Sequence, residues 1–129
     1  MTATAAFVSP TTDFPSAILV VDDVASIGSL VAATLAVLPY RLLLANSVRS
    51  AIAVLNEFDR VRALVVDVQL PDGNGMEIIE HARRRHPGLP ALLMSGSGIG
   101  NLKIDFIAKP FEPDELLSRV MAMTKTVEC

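Results

Sequence analysis

Basic charge is scarce in this 129-residue chain. Eleven lysines and arginines face fourteen aspartates and glutamates, giving a net charge of −3 and a pI of about 5.2. A protein whose main ligand is nucleic acid needs a basic face to neutralise phosphates, so that class is excluded. Aromatics are few as well: no Trp, one Tyr and five Phe cannot build a platform for stacking bases. The single cysteine, Cys129, can form neither an internal disulfide nor a metal site. That fits a reducing compartment, and the expected location is the cytoplasm. The segment Met1–Ser16 has no positive charge and no continuous apolar core, which excludes a secretory signal. Its Thr, Ser, Pro and Ala content makes residues 1–15 a flexible leader. Val24–Tyr40 carries no charge, but it is short for a bilayer span and is broken by Gly28 and Pro39. No membrane partner is expected.

What remains is rich in aliphatics. The chain is 51% apolar with a mean hydropathy of +0.47, which excludes a disordered protein. Its length suits one domain, placed at 16–125 with 126–129 as a flexible tail, and such a domain buries enough surface to need no staples. Short aliphatic runs recur along it: Ala17–Val21, Leu42–Ala45, Ala63–Val66, Ala91–Met94 and Phe106–Ala108. Each is too short for a helix and suits a strand buried on both faces of a parallel sheet. Helical patterns separate them. Val24, Ile27, Val31, Leu35 and Leu38 form one stripe of a helix over 24–40. Ser47–Phe58 and Gly75–Arg85 repeat the pattern, and Pro113 opens a last helix with Asp114 and Glu115 in its first turn. Strands alternating with helices predict a doubly wound α/β fold built from right-handed βαβ units. One interval breaks the rhythm. Only ten residues, GSGIGNLKID, separate Ser95 from Phe106, and three are glycines, so the fourth crossover has a short helix or none.

In open parallel sheets, ligands bind beyond the carboxyl ends of the strands. Asp22 and Asp23 follow the first run, Asp67 the third, Ser95 the fourth, and Lys109-Pro110 the fifth. Three carboxylates, a hydroxyl and an ammonium therefore converge on one rim. Two carboxylates 4 Å apart repel by about 1 kcal/mol in water and about 4 kcal/mol at an effective dielectric near 20. A hard divalent cation relieves this, and Mg²⁺ combines carboxylates with water and phosphate oxygens. A carboxylate beside such an ion and a lysine is a nucleophile towards phosphorus, with Lys109 and Ser95 stabilising the transferring group.

The residues VVDD (20–23), VVDVQLPDGNG (65–75), MSG (94–96) and FIAKPF (106–111) give the chain a close resemblance to the receiver domain of two-component response regulators. The likeness runs from about Ser16 to about Thr124, with the elements in order. It implies a flavodoxin-like, five-stranded sheet of order 2-1-3-4-5. It further implies a phosphoryl group taken onto Asp67 from a sensor histidine kinase or a histidine phosphotransfer protein. Asp23, Asp67 and the backbone carbonyl of Gln69 would hold Mg²⁺, or Mn²⁺ in its place, with Asp22 contributing through water. Lys109 and Ser95 would bind the phosphoryl group, Ser95 and Phe106 would form the switch, and the Lys109–Pro110 bond would be cis. Pro71 and Gly75 match the family's loop after the phosphoacceptor.

The short segment Gly96–Asp105 departs from the family, which carries a full fourth helix there, so the usual dimer is not expected. No output module follows Lys125, and the expectation is a stand-alone receiver that signals by protein contact to an unknown target. A haloacid-dehalogenase-like phosphohydrolase uses similar groups. Its nucleophile, however, lies on the first strand and its metal acids come last, the reverse of the order here. A pseudo-receiver that only binds partners is a third reading, which the intact acids and lysine oppose. His81, His86 and the Arg83-Arg84-Arg85 run read as solvated surface, and the methionines as core filler.

Overall fold

The computed structural model describes residues 15–96 and 104–128. In chain order the elements are β1 (Ala17–Val21), α1 (Ala25–Leu35), β2 (Arg41–Ala45), α2 (Val48–Glu57) and β3 (Val61–Asp67). A miniature antiparallel pair follows, β4 (Gln69–Leu70) and β5 (Gly73–Asn74). Then come α3 (Gly75–Arg85), β6 (Ala91–Ser95), β7 (Asp105–Ala108) and α4 (Pro113–Glu128). The main sheet has the order β2-β1-β3-β6-β7, all neighbours parallel, with β6 and β7 as its fourth and fifth strands. This is the doubly wound arrangement expected from the alternation, in the flavodoxin-like order that the resemblance implies, with four helices among the described residues.

Alternation along each strand divides the core in two. Ala17, Leu19 and Val21 of β1 join Leu43, Leu64, Val66 and Leu93 beneath α2 and α3. Ile18 and Val20 join Leu42, Val65, Leu92 and Met94 beneath α1 and α4, whose Val31, Leu35, Leu116 and Val120 close that layer. All five residues of β1 are buried, the pattern of a central strand covered on both faces.

Three expectations need correction. The first helix ends at Leu35, well before Tyr40. Pro39 has no N–H to give, and its ring collides with the carbonyl four residues back, so a turn carries the chain to β2. There Leu38 N–H donates to the Leu35 carbonyl at 3.0 Å and Tyr40 N–H to that of Leu38 at 2.8 Å. The fifth run is also not doubly buried. β7 is an edge strand in which only Ile107 is buried, and Phe106 is 39% exposed. Of the short fourth crossover, residues 97–103 lie outside the described residues, as does the leader up to residue 14. The last helix runs to Glu128, beyond the Lys125 limit read from the sequence.

Candidate functional site

The sheet order reverses its direction of winding between β1 and β3, and the residues after these neighbouring strands face a common crevice. Asp22 and Asp23 leave β1, while Asp67 is the last residue of β3. One carboxylate oxygen from each of the three lies within 4.8 Å of the others. From the far side of the sheet, Lys109 follows β7. Its Nζ donates to Asp22 Oδ2 at 3.0 Å and to Asp67 Oδ2 at 3.1 Å. The Asp22 side chain is fully buried and that of Asp67 is 12% exposed, so the ammonium compensates two desolvated charges. Burial pushes the Lys109 ammonium down, but the bonds to Asp22 and Asp67 outweigh it and raise its pKa above the ordinary value. Lys109 is therefore charged at neutral pH.

Backbone bonds fix the acids. Asp22 Oδ1 accepts from Val24 N–H at 2.9 Å, and Asp67 Oδ1 accepts from Gln69 N–H at 3.3 Å. Asp23 is exposed at the rim. Ser95 is buried at the end of β6, and its carbonyl accepts from Lys109 N–H at 2.7 Å, which ties the two strand ends. The Lys109–Pro110 bond is cis. Three carboxylates are hard oxygen donors, the donor set that suits Mg²⁺ or Mn²⁺ rather than a thiophilic ion.

The loop after Asp67 is tightly constrained. Val68 N–H donates to the Met94 carbonyl at 3.0 Å, and Gly75 N–H to the Val68 carbonyl at 2.8 Å. A Cβ at Gly75 would run into the Asp67 carbonyl oxygen and sit 2.7 Å from Val66 Cγ1, so α3 approaches β3 only because this residue is glycine. Asn74 and Glu77 form a capping box at the start of α3, as Ser47 and Ser50 do for α2.

Some contacts were not legible in the sequence. Asp72, within the PDG turn, accepts hydrogen bonds from the first two amides of α2, 24 and 23 residues away. Arg83 is not simply solvated: Nε and Nη2 donate to the Leu89 carbonyl at 3.0 and 2.8 Å. His81 pairs with Asn56 at 3.3 Å. Phe106, expected as half of a switch, lies on the edge strand, where its carbonyl accepts from Arg119 at 2.8 Å. The Asp72 and His81 pairings link segments more than twenty residues apart in the chain.

A five-stranded α/β sheet with an acidic, lysine-bridged crevice at its carboxyl rim is the architecture of receiver-type signalling domains. The model of the response regulator receiver domain family matches residues 18–121, and the chain belongs to that family. It is 30% identical over 119 residues to the regulatory protein TcrX of Mycobacterium tuberculosis, covering 86% of this chain and 50% of TcrX. The phosphate regulon transcriptional regulatory protein PhoB of Pseudomonas aeruginosa is 32% identical over 119 residues, covering 84% of this chain and 51% of PhoB. The chain thus spans about half the length of these relatives, and a quarter of the NtrX-like regulator of Rickettsia conorii. Among solved structures, the receiver domain of NtrX from Brucella abortus superimposes with a TM-score of 0.72 at 30% identity, covering 84% of this chain and 98% of that one. A CheY-like receiver from Methanospirillum hungatei gives 0.76 at 25% identity, covering 88% and 96%. The membership sets aside the dehalogenase-like alternative. Among the described residues no helix is long and apolar enough to cross a membrane.

Proposed function

We propose that this receiver accepts a phosphoryl group on Asp67 from the phosphohistidine of a sensor histidine kinase or a histidine phosphotransfer protein. The observation that supports this most is the Lys109 bridge between Asp22 and Asp67 inside a three-carboxylate cluster. Asp23, Asp67 and the Gln69 carbonyl would hold Mg²⁺ directly, and Asp22 would reach it through water. When bound, the ion supplies charge that neutralises the acids and the equatorial phosphoryl oxygens. In the transfer, an Asp67 carboxylate oxygen forms a bond to phosphorus as the bond from phosphorus to imidazole nitrogen breaks. The electron pair stays on nitrogen. Lys109 and the Ser95 hydroxyl hold the phosphoryl oxygens in the product. Breaking the bridge to Asp67 also frees Lys109 to follow the new charge, so the cation that stabilises the resting state serves the product as well.

Docking of the donor is supported by a shallow apolar groove beside this crevice, lined by Ile27, Leu30, Lys109, Pro110 and Phe111. Leu30 is 49% exposed on α1, which carries no charge along its length. The switch assigned to Ser95 and Phe106 belongs to the same proposal, as do cytoplasmic location and output by protein contact. Incubation with phosphoramidate and Mg²⁺ tests the reading: the intact mass should rise by one phosphoryl group. EDTA or Asp67→Asn should abolish the gain. No gain in the wild type would refute it.

A further inference from the structure

The loop that follows Asp67 is pinned at its tip to the start of α2, the helix that joins β2 to β3. Asp72 Oδ1 accepts from Val48 N–H at 2.8 Å and Asp72 Oδ2 from Arg49 N–H at 3.0 Å. One carboxylate therefore closes the first two amides of α2, at the positive end of that helix. The third, Ser50 N–H, is already met by the Ser47 hydroxyl at 3.0 Å, and the fourth, Ala51 N–H, by the Ser47 carbonyl. The amides of α2's first turn are thus shared between a local cap and a residue from another segment. The other arm of the crevice ends at the same place. Asp22 N–H donates to the Ala45 carbonyl at the end of β2, two residues before Ser47. Both strands that present the acids are thereby tied to the entrance of α2, one through backbone and one through Asp72.

We infer that Asp72 is a positioning residue for the acidic site, setting the loop that carries Gln69 by anchoring it to the N-terminus of α2. The inference rests on the metal and phosphoryl roles proposed above for Asp67 and Gln69. Between the anchor and Asp67 the loop has little freedom. Leu70 is buried, β4 pairs with β5, and Gly73 is packed so closely that a Cβ there would lie 2.8 Å from Glu77 Oε2 and 3.1 Å from Val48 Cγ2. A displacement at Asp72 is therefore passed along a two-stranded ribbon to Gln69 rather than absorbed. Exposure of Asp72 itself means that the carboxylate is held there by two directed bonds and not by packing.

Asp72→Ala and Asp72→Asn, with Ser47→Ala as the comparison, test this. Ser47→Ala weakens α2 by its local cap without touching the loop. In Asp72→Ala the Mg²⁺ dissociation constant, read by calorimetry, should rise roughly tenfold, the cost typical of losing an outer partner of a metal ligand. The phosphoramidate labelling rate should fall in step. Asp72→Asn, which keeps one acceptor oxygen, should lie between. Ser47→Ala should lower the melting temperature while leaving both constants at the wild-type value. Wild-type Mg²⁺ affinity and labelling in a folded Asp72→Ala would overturn the inference, as would an equal loss in Ser47→Ala. If the wild type takes neither Mg²⁺ nor phosphoryl group, the proposed function fails. The anchor is then decided by amide hydrogen exchange at Val68 and Gln69, where faster exchange in Asp72→Ala supports it and unchanged exchange overturns it.

Discussion

Lys109 links two acids that a folded protein would not otherwise keep so close. Its side chain is 19% exposed and touches Asp22, which is fully buried, and Asp67. Truncation in Lys109→Ala leaves these charges facing each other in a partly dry crevice. The expected loss in urea denaturation is about 1–3 kcal/mol without divalent ions, below the range for a wholly buried pair because the site is partly wet. Millimolar Mg²⁺ should recover most of that loss by supplying the missing positive charge. A mutant as stable as the wild type without Mg²⁺ would show that the bridge is not what offsets the repulsion. Gly75 is the second residue on which the site depends. Gly75→Ala places a methyl group against the Asp67 carbonyl and Val66, and should destabilise by about 1–3 kcal/mol. The opposite result, a gain from added helix propensity, would mean that α3 moves away from β3 at little cost. Asp22, Asp23, Asp67, Ser95 and Lys109 could be picked out from the chain because each directly follows or ends an aliphatic run. Asp72 could not. Its partners are separated from it by a full strand and a helix, and a PDG turn by itself indicates only a change of direction.

At the level of elements, α2 is the helix whose start is most heavily shared. Ser47 caps it locally and Asp72 from a distance. The bonds from Arg49 and Val48 amides hold the Asp72 carboxyl below the ordinary aspartate value of 3.8. A carboxylate with a lowered folded pKa contributes stability that is complete above the unfolded pKa and is lost as pH falls through the folded one. The melting-temperature difference between the wild type and Asp72→Asn should therefore be constant above about pH 5 and shrink on acidification below it. A difference that persists unchanged to the acid limit would contradict the assignment. Existence of the five main strands and four helices followed from the sequence because those strands are short aliphatic runs and the helices carry one apolar stripe, whereas the two-residue strands β4 and β5 have no such run. The end of α1 did not follow, because the periodic pattern runs on through Leu38 and the break comes from Pro39. The exposed β7 was missed for a related reason: an aliphatic run looks the same at a sheet edge as at its centre.

For the whole molecule, the fold joins two opposed requirements. Two apolar layers on either side of one sheet hold its strands rigidly, and this rigidity keeps the acids together at the rim. The doubly wound topology was legible because alternation of strand and helix leaves few permitted windings, whereas the strand order came from the family resemblance. Length and output were not. The chain spans about half of TcrX and PhoB. The central claim is that the rim is a phosphoacceptor with Asp67 as its nucleophile. Borohydride reduction after phosphoramidate treatment tests it most directly, since an aspartyl phosphate is reduced to homoserine while free carboxylates are not. Tandem mass spectrometry should find homoserine in place of Asp67 and unmodified Asp22 and Asp23. Conversion at either of those two residues, or at none, would contradict the account.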